Sequence, residues 1–196
     1  MGSVNLTFLL IALMTIIFVL EEPLDLIENF SFIPRFAFYK PWTFLTSIFL
    51  HANFPHLFYN MLALFFFGLY LERIVDRKTY FLIFLISGIF GNIFFMLTTF
   101  NPNIPAVGAS GAIYGIIGAL AALRPYAIVY IYFTPLPLIV AAFLWALISF
   151  LGIFIPSSIA HAAHLSGLLT GYIIGYFLKR KERKRYFMIY KTRRIF

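Results

Sequence analysis

Ser110 stands in Gly108-Ala109-Ser110-Gly111 at the head of a hydrophobic segment rich in small residues, and His164 lies inside another hydrophobic segment far downstream. A serine hydroxyl beside an imidazole that can take its proton is the minimal apparatus for acyl transfer. Polar groups inside membrane spans cost enough free energy that they point to chemistry. His56 and Asn60 add a second constellation. Four residues apart at the start of a helix, they share one face, and both can donate hydrogen bonds. With the Ser110 amide at a helix N-terminus they would form a hole for a developing oxyanion. Each residue taken singly also has a structural explanation. Ser110 could cap its helix, His164 could be an interhelical hydrogen-bonding group, and His56 with Asn60 could cap and join helix ends. His51 reads as a structural residue holding the preceding loop.

The elements that must position these residues are membrane helices. Of 196 residues, 62 % are hydrophobic, 26 are phenylalanine and only 11 % are charged, giving a mean hydropathy of +0.94. A soluble domain of this length could not hide so much apolar surface. The chain has no cysteine, which excludes disulfides, thiolate nucleophiles and thiolate metal sites. Apolar runs suited to crossing a bilayer, which takes about 20 residues, occur at 4–20, 56–71, 80–100, 110–123, 138–155 and 159–178. The expected fold is therefore all-α, a polytopic bundle of six transmembrane helices over residues 1–178, followed by a basic tail at 179–196. The first run lacks a basic leader and is followed by Glu21-Glu22-Pro23 instead of a cleavage site, so it is read as a helix.

Lysine and arginine are retained in the cytoplasm. Thirteen of the 15 fall on one side if both termini are cytoplasmic; only Arg35 and Lys40 fall on the other. The cluster Lys179-Arg180-Lys181-Glu182-Arg183-Lys184-Arg185 abuts the last span and would attract anionic lipid headgroups. It is accounted for by orientation and calls for no nucleic acid. Residues 21–55 are the longest non-helical stretch by sequence and carry many aromatic side chains, which suits a loop lying in or on the outer leaflet.

The fourth span is short. Its 14 residues would rise about 21 Å against a hydrocarbon core of roughly 30 Å. Arg124-Pro125 pins its cytoplasmic end, so Ser110 is expected below the outer surface, beside a recessed, wet cavity. Gly111, Gly115 and Gly118 in this span, and Gly167, Gly171 and Gly175 in the sixth, form two small-residue stripes. Packing them together brings His164 toward Ser110. His161 and His164 are three apart, a spacing that two metal ligands can share, but no acidic residue occurs between Asp76 and Glu182, so no metal site is expected.

Four motifs now stand in order: His56-Leu57-Phe58-Tyr59-Asn60 after Phe49-Leu50-His51; Glu72-Arg73 closing the second span; Gly108-Ala109-Ser110-Gly111 followed by Tyr114 and Gly115; and Ala163-His164-Leu165-Ser166-Gly167 with Gly171. On these residues the chain resembles the rhomboid family of intramembrane serine proteases over nearly its whole length. The resemblance implies that Ser110 is the nucleophile and His164 the general base and later acid. His56, Asn60 and the Ser110 amide would stabilise the oxyanion. Gly108 and Gly111, flanking the serine, would support the site. Tyr114 would stack on His164, a task given to a carboxylate in soluble triads. It also implies that the fifth span and its outer loop, 138–158, act as a lateral gate or cap. The substrates would be single-span membrane proteins, with no cofactor, metal or second subunit needed. Two residues depart from the pattern. Thr43 follows Trp42 where many members carry arginine, and His161 occupies a variable position, where it would line the cavity or orient substrate.

Two other functions are consistent with parts of the sequence. A catalytically inactive rhomboid-like protein would bind transmembrane clients, but such members usually lack the serine or the histidine. A small transporter with broken helices would need repeats or a central carboxylate, and neither occurs. The nucleophile-elbow pattern of soluble hydrolases is not met by the spacing around Ser110. The absence of a targeting segment suggests a bacterial or archaeal plasma membrane.

Overall fold

The computed structural model describes residues 5–131, 133–155 and 159–193, with side chains described as far as Lys181. Val4 of the first expected span, Ser158 at the end of the expected gate, and the basic side chains beyond Lys181 lie outside the described residues. Helix α1 spans Leu6–Glu21. The connection after it contains short helices α2 (Leu26–Phe30) and α3 (Thr43–Thr46) and two 3-10 turns. Helix α4 runs Phe54–Glu72, α5 Arg77–Thr98, and α6 Ser110–Leu123. Strands β1 (Ile128–Ile131) and β2 (Thr134–Pro137) precede α7 (Leu138–Gly152) and α8 (His161–Arg193).

Among the described residues, two helices, α4 and α5, are long and apolar enough to cross a bilayer; α1, α6 and α7 are apolar but shorter. Local chemistry sets several ends. Asn53 caps α4, its side-chain oxygen accepting the His56 N–H at 2.9 Å, and Pro55 sits in the first turn, where a missing N–H costs nothing. Asp76 caps α5, accepting the Thr79 N–H at 3.0 Å and the Thr79 hydroxyl at 2.6 Å. These bonds hold its carboxyl below the usual carboxylate range. Within α4, residues Leu64–Gly68 form a π-helical turn.

Helix α6 is enclosed by its neighbours. Of its residues after Ser110, all but Tyr114 are buried. Charge-free and made of alanine, glycine and branched aliphatics, it can be enclosed on all sides. Its approach to α8 is limited by glycine. A Cβ on Gly167 would land on the Gly111 carbonyl oxygen, and one on Gly171 on the Gly115 carbonyl oxygen. The two stripes expected from sequence are therefore in backbone contact.

Glu72 ends α4 at the N-terminus of α1. There its carboxylate accepts the Leu6 N–H, the Thr7 N–H at 3.0 Å and the Thr7 hydroxyl at 2.7 Å, a favourable place for negative charge. At the far end of α6, Lys179 Nζ donates to the Ala122 carbonyl at 3.0 Å, a matching place for positive charge.

Three features depart from the expected architecture. The fold is predominantly but not wholly helical: β1 and β2 pair antiparallel, Ile128 opposite Pro137 and Ile131 opposite Thr134. The run Ile128-Val129-Tyr130-Ile131 is made of residues that favour extended backbone. The stretch after α1 is also not simply non-helical, as its four short helical segments show. Helix α8 continues without a break through the expected tail boundary, since Lys, Arg and Glu are good helix formers.

Candidate active site

The turn that presents Ser110 is held by the connection between α1 and α4. Phe32 and Ala106 exchange backbone hydrogen bonds of 3.0 and 2.7 Å, and the Gly108 N–H donates to the Ser47 carbonyl at 2.9 Å. Asn92 of α5 secures the same connection, its side-chain amide donating to the Phe44 carbonyl and the Ser47 hydroxyl, both at 2.9 Å. Buried Thr43, the residue after Trp42, turns its hydroxyl onto the Lys40 carbonyl at 2.7 Å. An arginine bridges the two loops: Arg35 Nη1 donates to Asn103 Oδ1 at 3.3 Å.

Gly108 is required at its position for two reasons. Its φ of +122° lies in the region that side chains disfavour, and a Cβ there would come within 2.6 Å of the His56 ring. Helix α6 then starts at Ser110, with Ala109 in the cap position. Its first amides have no acceptor within the helix. Ser110 does not spend its hydroxyl on a cap. Oγ lies 2.7 Å from His164 Nε2, within the distance that general-base activation requires. The His164 ring stacks on Tyr114 at 4.4 Å between centroids and 9° between planes. The Tyr114 hydroxyl in turn interacts with buried Ser149 of α7.

His56 and Asn60 lie on the same face of α4, beside Gly108 and buried respectively. Asn60 commits one side-chain N–H to the His56 carbonyl at 2.8 Å, which leaves the other to donate elsewhere. His161 lies 6.2 Å from His164 between ring centroids and packs where a Cβ on Gly152 would be. It borders a cavity of about 340 Å³ between the ends of α5 and α7 and the start of α8. Ser110 does not line that space. That space opens at His161, one helical turn from His164 along α8.

Two residues outside the expected set bear on the site. The Glu21 side chain at the end of α1 is buried and accepts the His51 N–H at 2.7 Å. The His51 ring is itself 1 % exposed and meets the His56 ring edge-on at 5.3 Å. By sequence Glu21 and Glu22 are equivalent charges closing a span, and nothing local marks the one that turns inward. Both His51 ring nitrogens are buried without a hydrogen bond of ordinary geometry. Burial first, and the adjacent His56 second, push His51 down to about 3.

An unfolded chain therefore takes up a proton at His51 that the folded one refuses, so stability is lost as pH falls from about 6.5 toward about 3. Thermal midpoints in detergent should drop on acidification through this window, and the slope should flatten in His51→Gln. An unchanged slope would remove His51 as its source.

The chain matches the family model described as the Rhomboid domain over residues 39–181 and belongs to the rhomboid family, whose members are integral membrane proteins. It is similar to the putative rhomboid protease YdcA of Bacillus subtilis, 34 % identical over 146 residues that cover 74 % of this chain and 71 % of that protein. It is also 30 % identical over 155 residues to Rhomboid protein 1, mitochondrial, of Saccharomyces cerevisiae, covering 71 % of this chain and 43 % of the relative. The Inactive RHOMBOID-like protein 8 of Arabidopsis thaliana shares 39 % over 79 residues, 40 % of this chain and 22 % of its own length. The chain thus spans less than half of the second and third of these relatives.

Proposed function

We propose that the protein is an intramembrane serine endopeptidase that cuts transmembrane segments of single-span membrane proteins. The observation that carries this reading is the 2.7 Å contact between Ser110 Oγ and His164 Nε2. In the proposed reaction Ser110 Oγ attacks the scissile carbonyl carbon while its proton passes to His164 Nε2. The carbonyl oxygen takes the negative charge, facing the Ser110 amide, His56 and Asn60. Collapse expels the amine, protonated by His164, and leaves an ester on Ser110. Water then gives its proton to His164, attacks the ester and frees the acid, and His164 returns the proton to Ser110. Tyr114, stacked on His164, keeps the ring in the plane this exchange needs.

In this reading α1, α4, α5, α6, α7 and the apolar part of α8 are the six spans, with α6 short and central. The distribution of lysine and arginine favours cytoplasmic termini and contact of the basic tail with anionic lipid. The intact Ser110–His164 pair weighs against a client-binding role of the inactive kind. Cleavage of a model single-span substrate by the wild-type protein in liposomes tests the proposal. Substrate that binds but stays uncut would favour the client-binding reading.

Asn60→Ala is expected to lower kcat about 10- to 100-fold without abolishing turnover, because the remaining donors still face the oxyanion. Steady-state kinetics on a folded variant measure this. Complete loss would argue against shared stabilisation.

A further inference from the structure

Glu21 is the one buried acidic side chain among the described residues. Its position at the last turn of α1 places a carboxylate where the connection 22–53 returns to α4. Oε1 accepts the His51 N–H at 2.7 Å. Two residues on, Asn53 caps α4 through the His56 N–H at 2.9 Å. Between these two bonds the chain has little freedom, so the His51 ring is fixed against one edge of His56, at 5.3 Å and 67°. The Cε1–Nε2 edge of His56 meets Gly108, whose missing side chain leaves room for the ring. His56 is held between a buried imidazole and the turn that presents Ser110.

From this arrangement we infer that Glu21 is a positioning residue for the oxyanion site, acting through the His51 backbone to set the height and tilt of the His56 ring. The inference rests on the proposed peptidase reading for its kinetic consequence, though not for the anchor itself. A carboxylate at this depth is costly to bury. Its N–H partner belongs to the backbone, so any side chain with an acceptor oxygen of similar reach should serve. Glutamine meets that requirement; alanine does not.

Three variants of the full chain in liposomes separate this role from general support of the fold. Glu21→Ala should lower kcat about 10-fold with KM within about twofold, because the groups that hold substrate are untouched while oxyanion stabilisation weakens. Glu21→Gln should restore kcat to within about threefold of wild type. In a His56→Ala background Glu21→Ala should change kcat by less than about twofold, since the residue it positions is gone. An equal loss in both backgrounds, or no loss in the first, would overturn the inference.

Amide exchange at His51 reads the anchor without catalysis. Protection should fall at least about 10-fold in Glu21→Ala and persist in Glu21→Gln. Equal protection in Glu21→Ala and wild type would also overturn the inference. If the wild type cuts nothing, the peptidase reading fails, and exchange at His51 still decides the anchor.

Discussion

Ser110→Ala and His164→Ala should each reduce cleavage of a single-span substrate in liposomes by about 10⁴-fold or more, and the double variant should lose little beyond either single one. The reason lies in the 2.7 Å contact between Oγ and Nε2. Each group is inert for this chemistry without the other, so removing one removes the unit. Both variants should fold. Ser110 supplies no side-chain cap to α6, and Tyr114 and the surrounding helices remain when His164 is shortened. Unaltered thermal midpoints with lost turnover would place the effect in the reaction. Residual cleavage within about tenfold of wild type in Ser110→Ala would assign the nucleophile elsewhere.

Gly171→Ala is expected to be the most damaging single methyl group that can be added to this protein. The new Cβ would overlap the Gly115 carbonyl oxygen, and that oxygen belongs to helical backbone that cannot swing aside. Helices α6 and α8 must separate, which costs about 1–3 kcal/mol as overpacking. The functional effect should be larger than the loss of stability suggests. Two turns before Gly171 on the same helix stands His164, and a separation of roughly 1 Å stretches its bond to Ser110 beyond hydrogen-bond range. We expect kcat to fall about 100-fold or more. Leu169→Ala, on an exposed part of the same helix, should leave kcat near the wild-type value. A fully active Gly171→Ala protein would show that the interface can absorb the methyl group.

The residues that meet at the site were legible because membrane burial makes each polar group conspicuous. Ser110, His164, His56 and Asn60 stand out against apolar runs, and the bounds of α6 at Ser110 and Leu123 follow from Gly108 on one side and Arg124-Pro125 on the other. The glycine stripes were legible for the same reason, since spacings of three and four define a helix face. What escaped is the set of contacts made by backbone. The Phe32–Ala106 pairing, the Gly108–Ser47 bond and the Glu21–His51 bond join segments far apart in the chain, and a main-chain donor carries no residue-specific mark. The hairpin at 128–137 was missed because its strand-forming residues are also apolar, so they merged with the hydrophobic background. The cavity beside His161 depends on how three helix ends diverge, which no periodicity encodes.

The π-helical turn at Leu64–Gly68 divides α4 into two halves that need not share a phase. An extra residue in one turn rotates everything beyond it by roughly 100° relative to an unbroken α-helix. In the first half, His56 lies against Gly108 in the turn before the serine; beyond the π-turn, Glu72 faces Thr7 of α1. A strictly regular helix would align one residue with its neighbours only by misaligning the other. The inserted residue therefore works as a coupling between two independently aimed faces, so substitutions that retune how α1 docks at one end need not turn His56 away from the serine at the other.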